Sequence, residues 1–205
     1  TELRGAAMKL HTTRQAPKEG KVVEEKAPPH VTTHADYLQF LVDSQCVYQT
    51  LEDIVNDKDE LATFRQTGLE RTTGLEQDIQ FLLSEYDLEK PAVGAFGKAY
   101  VKELTSIDSI PELMCHYYNY YFAHTAGGRM IGKQMAALLL DKKTLEFYKW
   151  DGDLNKIKET VKGDIEDMAA TWSREEKDEC VSGTAAAFRC GGGINAYLGG
   201  RRSPE

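Results

Sequence analysis

HYYNYYFAHTAGGRMIG, residues 116–132, lies in a stretch whose apolar spacing stays helical from Pro111 to Leu140, yet it holds three glycines, two histidines and four tyrosines. Each glycine inside a helix costs roughly 0.5–1 kcal/mol relative to alanine. Something must offset that cost. The adjacent pair Gly127 and Gly128 loosens the backbone and removes two Cβ atoms, which lets a flat ligand or another backbone come close. Two readings follow: a bent helix that presents bare backbone to a ligand, or tight helix–helix packing.

The flanking sequence is helical in both directions. Ser109-x-x-Glu112, with Pro111 in the first turn, and Ser173-x-x-Glu176 are capping-box signatures that predict helix starts near 110 and 174. Apolar residues at 37, 40, 41, 47, 48, 51, 54 and 55, and again at 75, 79, 82, 83 and 86, follow helical spacing. Leu154, Ile157, Val161, Ile165 and Met168 form another amphipathic face behind the turn-like Asp151-Gly152. Alternating, strand-like runs are missing. The fold class is therefore all-α, in one domain spanning 1–205. Residues 12–35, rich in lysine, glutamate and proline, read as a solvated connection after a short N-terminal helix that carries His11. The run Gly191-Gly192-Gly193 is expected to interrupt the last helix, and 199–205 to be a disordered tail.

Composition narrows the function classes. A chain of 205 residues with 41% hydrophobic content can bury a core without disulfides or structural metals. Its 33 acidic against 25 basic side chains give a net charge of −8, which argues against nucleic acid as a partner. Cys46, Cys115, Cys180 and Cys190 show no paired close spacing and read as packing thiols in a reducing compartment. The longest apolar run, Met135 to Leu140, is far too short to span a bilayer. No transit segment is visible at Thr1. The glycines near 127 lie inside a helical pattern rather than after a strand, so no flavin or nicotinamide fingerprint is present.

FAHTAGGRMIG resembles the distal helix of plant and algal haem oxygenases, and LEFYKWDG at 145–152, WSREEK at 172–177 and AMKLHT at 7–12 are similar to segments of the same family. The resemblance implies a single all-α domain with haem between a proximal helix near the N terminus and a glycine-kinked distal helix. It also implies cleavage of haem at the α-meso carbon to biliverdin, with release of carbon monoxide and iron, using O2 and electrons from ferredoxin. By the same resemblance, His11 is the ligand to the haem iron, and Gly127 and Gly128 bring backbone against the haem, while Tyr48 joins the distal network. Animal and bacterial members carry an aspartate three residues before the glycine pair. Here, as in plant-type members, that place holds His124, the candidate for ordering distal water. Haem propionates are assigned to Arg4, Tyr118, Lys158 and Lys162. The last two stand four apart on one helix face.

The resemblance places the protein as a monomer in the chloroplast stroma, with its transit peptide absent from this chain, and a bilin reductase downstream. Arg129, Lys133 and Lys149 are candidates for docking the acidic ferredoxin, or simply a solvated face. Two other classes compete with the enzyme: a haem-binding or regulatory protein that has lost turnover, and a helical interaction module that binds no haem.

Overall fold

The structure, a computed structural model, describes residues 2–15 and 30–204, with side chains for 2–10 and 30–204. The chain order is α1 (Glu2–Gln15), α2 (His34–Asp57), α3 (Thr72–Glu85), α4 (Ala95–Thr105), α5 (Ile110–Ala123), α6 (Arg129–Leu139), α7 (Leu154–Ala170), α8 (Arg174–Ser182) and α9 (Thr184–Ala196). No strand occurs among the described residues.

Helix α2 is the spine. It packs against α3 on one side and α4 on another, while α5 lies against α8 and α9. Tyr37, Leu41, Val47, Tyr48 and Leu51 of α2 are each 2% exposed or less. Burying one such side chain stabilises the fold by about 1.5–3 kcal/mol. The apolar spacing read from the sequence is this buried face.

The helix starts have local causes. Ser109 Oγ accepts the Glu112 amide at 3.3 Å, and Ser173 and Glu176 close a reciprocal capping box at 3.2 and 2.7 Å. Thr33 and Asp36 form a further box at the start of α2, with bonds of 3.2 and 2.9 Å.

Two expectations are corrected. Gly191, Gly192 and Gly193 do not interrupt the last helix: α9 runs through them. A Cβ on Gly193 would stand 2.7 Å from the Phe96 ring, so the missing side chain lets α9 approach α4. The connection expected over 12–35 is also shorter. Helix α1 extends to Gln15, residues 16–29 lie outside the described residues, and 30–33 are tied down. His30 Nε2 donates to Asp36 at 2.8 Å and Thr32 Oγ1 donates to the Leu198 carbonyl at 2.7 Å. The chain end is drawn to the same place. Asp36 is 1% exposed and also receives the Arg202 guanidinium, so the first residues of the expected tail are anchored by a buried carboxylate that needs donors.

Candidate functional site

Between α5 and α6 the helix does not break. It widens into a π turn over His124–Gly128, which accommodates an extra residue in the helical path. Ala126 and Gly127 on this turn are exposed to a cavity of about 360 Å³ whose other walls come from α2, α9 and the 147–148 segment. At Gly127 an added Cβ would meet nothing within 4 Å, so the bare backbone faces open cavity. Gly128 serves a different purpose. A Cβ there would stand 2.6 Å from His124 Nδ1, so this glycine makes room for the imidazole. Open space therefore lies over Gly127 alone, and Gly128 accommodates its neighbour.

His124 is 7% exposed and its ring stacks on Phe147 at 3.9 Å, with 17° between planes. Its Nε2 stands 2.8 Å from the Phe147 carbonyl oxygen. A carbonyl only accepts, so Nε2 carries the proton. Burial lowers the imidazole to about 3; the Phe147 hydrogen bond opposes the shift and the nearby Arg71 charge adds to it. The ring is neutral at physiological pH, and Nδ1 is a lone-pair acceptor. Tyr48, 1% exposed, sets its ring edge-on to His124 at 6.1 Å and to Phe147 at 5.7 Å, and burial pushes its hydroxyl well above the usual tyrosine range.

The acceptor of the imidazole proton is itself held. Asp78 of α3 takes the Glu146 amide at 2.8 Å and the Phe147 amide at 2.7 Å. Burial raises the Asp78 carboxyl to about 6, against the pull of those two amides. Arg71, 8% exposed, donates to the carbonyls of Leu69 at 3.0 Å, Gly68 at 3.2 Å and Phe147 at 3.4 Å, as well as to that of Lys149. Its guanidinium also lies over the Trp150 ring at 4.9 Å. LEFYKWDG is thus the segment that backs the imidazole. Sequence reading did not assign these roles. The available signal was a charged residue on an apolar face: Asp78 sits between Leu75, Ile79 and Leu82, all buried.

A second cavity, of about 550 Å³, lies between α1, α5, α7 and α8. Arg4, Tyr118 and Lys162 line it together, with Trp172 and Cys180 on the wall. Lys158, one turn before Lys162 and half-buried, lines neither cavity. Lys162 Nζ is paired with Glu159 at 2.7 Å. Arg174 fastens α8 to the first turn of α1 through two bonds to Glu2 at 2.8 and 3.1 Å. His11 falls within α1, but its side chain lies outside the described residues. His116, given no chemistry from the sequence, is fully buried with Nδ1 3.2 Å from the Tyr100 hydroxyl. The structure brings the seven other predicted residues into two groups. His124, Gly127, Gly128 and Tyr48 line one cavity and Arg4, Tyr118 and Lys162 the other, and α5 contributes to both walls.

A neutral, aromatic-lined slot beside a cavity carrying cations suits a flat apolar molecule with carboxylates at one edge. Comparison with known proteins agrees in kind. The family model described as Heme oxygenase matches residues 1–192. Heme oxygenase 1, chloroplastic, of Oryza sativa subsp. japonica is 44% identical over 205 residues, covering 96% of this chain and 70% of its own length. The Arabidopsis thaliana protein of the same name is 43% identical over 201 residues, covering 94% and 71%. Among solved structures, heme oxygenase-1 from the cyanobacterium Synechocystis, in complex with heme, superimposes with a TM-score of 0.72 at 23% identity, over 95% of this chain and 89% of that one. At that identity the likeness carries the fold.

Proposed function

Because this chain belongs to the haem oxygenase family, we propose that it cleaves haem at the α-meso carbon to biliverdin IXα, releasing carbon monoxide and ferrous iron with O2 and electrons from reduced ferredoxin. The observation that carries the reading is the pairing of bare backbone at Gly127 over an aromatic slot with a cavity lined by Arg4, Tyr118 and Lys162. Haem fits this set of residues. Its ring needs a flat apolar surface, and its two propionates need cations and a donor.

Bound haem is both the substrate and the centre that activates oxygen. The chain's own residues do the rest. His11 of α1 would hold the iron through a neutral imidazole nitrogen. Arg4 and Lys162 would neutralise the propionates, and the Tyr118 hydroxyl would donate to one of them, while Lys158, outside both cavities, would add charge only at a distance. Gly127 would let backbone come close to the bound ring and restrict the space over it, so that one edge carbon would be favoured. His124 stays neutral and holds distal water by accepting at Nδ1, while Tyr48 and Phe147 keep the slot apolar. Electrons arrive at the surface, where Arg129, Lys133 and Lys149 offer positive charge to an acidic ferredoxin. The protein works as a monomer in the chloroplast stroma and passes biliverdin to a bilin reductase.

The test is one absorbance course with haemin, ferredoxin, ferredoxin reductase and NADPH. A Soret band that forms and then gives way to the biliverdin spectrum supports the enzyme. A Soret band that persists would mean a binder without turnover, and no Soret band would mean a helical interaction module.

A further inference from the structure

The segment LEFYKWDG carries part of the family resemblance, and one of its atoms, the Phe147 carbonyl oxygen, decides the state of the distal imidazole. That oxygen is not free to move. The amide of the same residue donates to Asp78 Oδ2 at 2.7 Å, the preceding amide donates to Oδ1 at 2.8 Å, and the Phe147 ring is stacked on the imidazole itself. The 147–148 peptide that carries the oxygen is tied by the Tyr148 amide to the Leu145 carbonyl at 3.2 Å, and sliding the segment would also break both bonds to a carboxylate that is 3% exposed, leaving buried groups unpaired.

The geometry points to Asp78 as a positioning residue that selects the tautomer of His124: by gripping the 146–147 amides it fixes the Phe147 carbonyl as acceptor for Nε2–H and leaves Nδ1 bare beside Gly128. The opposite tautomer would set an imidazole lone pair against a carbonyl oxygen 2.8 Å away, two acceptors with no proton between them. Gly128 completes the arrangement. Its missing Cβ, which would stand 2.6 Å from Nδ1, keeps that nitrogen from being capped by a side chain. Anything that binds at Nδ1 must therefore donate to it. A distal water is held by one of its own protons, and the imidazole orients it without supplying a proton. The consequence for catalysis rests on the haem oxygenase reading, but the tautomer does not, since it is a property of the protein without haem.

The experiment labels the histidine ring nitrogens isotopically and records multiple-bond proton–nitrogen correlations on the haem-free protein near neutral pH. His124 is expected to show a protonated Nε2 and an unprotonated Nδ1. In Asp78→Asn, which offers one acceptor where two are needed, the tautomer ratio should move about tenfold toward Nδ1–H, the change expected from losing roughly one hydrogen bond. The haemin Soret band is recorded in parallel to show that the pocket persists. Should Asp78→Asn fail to fold, Asp78→Glu keeps both acceptors on a longer arm and should give the same shift, smaller. A proton on Nδ1 in the unaltered protein overturns the proposal, as does an unchanged ratio in a folded Asp78 variant. A protein with the expected tautomer and no turnover would sink the enzyme reading and leave this one standing.

Discussion

The two cavities that share α5 as a wall are built by opposite physical means. Around the π turn, the polar groups are buried and neutral or bonded to backbone: His124 to the Phe147 carbonyl, Asp78 to two amides, Arg71 to four carbonyls. Around Arg4 and Lys162 the charged groups are exposed or half-exposed, and Lys162 and Arg174 are paired with other exposed charges. Buried polar networks are costly to break and insensitive to salt, whereas exposed ion pairs contribute little and are screened. The first wall is suited to fixing geometry and the second to recognising charge. Substitutions in the two should differ in size and in salt response.

The largest effect belongs to the buried side. Asp43, fully buried in α2, accepts the amides of Gly94 at 2.8 Å and Gly97 at 2.7 Å, the Tyr197 hydroxyl at 2.7 Å and the Gln39 amide at 2.8 Å. It joins the start of α4 and the chain end to the helix that also carries Tyr48. Asp43→Ala strands several buried donors at once and should lower stability by about 4 kcal/mol. A urea unfolding curve measures it, and a loss below about 1 kcal/mol would show that water replaces the carboxylate.

The glycine pair gives the next effect and separates two roles that the sequence presents as one. Gly128→Ala drives a Cβ into the His124 ring and should lower kcat about 100-fold, the scale of a displacement of roughly 1 Å in a catalytic pocket. Gly127→Ala meets no neighbour, so the haem-free protein should gain up to about 1 kcal/mol from helix propensity. It should lose turnover all the same, because the new methyl occupies space the substrate needs. Melting temperatures and turnover of the two variants, measured together, check the contrast. Equal behaviour would mean that the pair acts only as a packing device.

How much of this was legible in the sequence follows from the kind of signal each feature leaves. Helix periods and the Ser109 and Ser173 caps are local, and they matched the elements found; the glycine pair was equally visible, but it falls in a π turn of an unbroken helix. The Thr33–Asp36 box was equally local, but the charged, proline-rich composition of 12–35 masked it. The bonds by which Asp78, Asp43 and Arg71 join distant segments span 51 to 154 residues of sequence separation, as in Gly94 to Asp43 and Tyr197 to Asp43. Nothing in their immediate neighbourhood announces the partner. The misreading of Gly191–Gly193 has the same origin, since the ring that needs the space, Phe96, comes from α4.

A buried histidine of α5, packed against Tyr100 of α4 outside both cavities, also gives the fold a pH signature. Burial lowers His116 to about 4, from the ordinary histidine value of 6.5. Its folded pKa lies below its unfolded one, so the unfolded chain takes up the proton first as pH falls below 6.5, and stability is lost from there down toward about 4. By pH 5 this amounts to about 2 kcal/mol for the one residue. His124 works in the same direction and Asp78, raised to about 6, works against it, so the informative quantity is a difference. His116→Gln, which keeps a partner for the Tyr100 hydroxyl, should be less pH-dependent than the unaltered protein by about that amount between pH 7 and 5, as read from urea curves at each pH. Parallel curves would mean that water reaches the imidazole.

The smallest effects belong to the charged wall. Arg174 lies in the WSREEK segment and ties α8 to α1, the helix that carries His11, through paired bonds to Glu2; Asp178 holds the same guanidinium. All three side chains are exposed, so the pairing is screened by salt and competes with water. Arg174→Ala should leave the buried wall and the His124 tautomer untouched and weaken haemin binding within about fivefold, the upper range for exposed ion pairs. The deficit should shrink as salt is raised, because the unaltered protein loses the same attraction to screening. Lys162→Ala should behave alike, acting on the ligand's carboxylates instead of on α1. A haemin titration at low and high ionic strength distinguishes the cases. A loss of tenfold or more that salt does not reduce would mean that Arg174 holds α1 by packing its stem, and the contrast between a buried, geometric wall and a screened, charged one would then fail at the helix that carries His11.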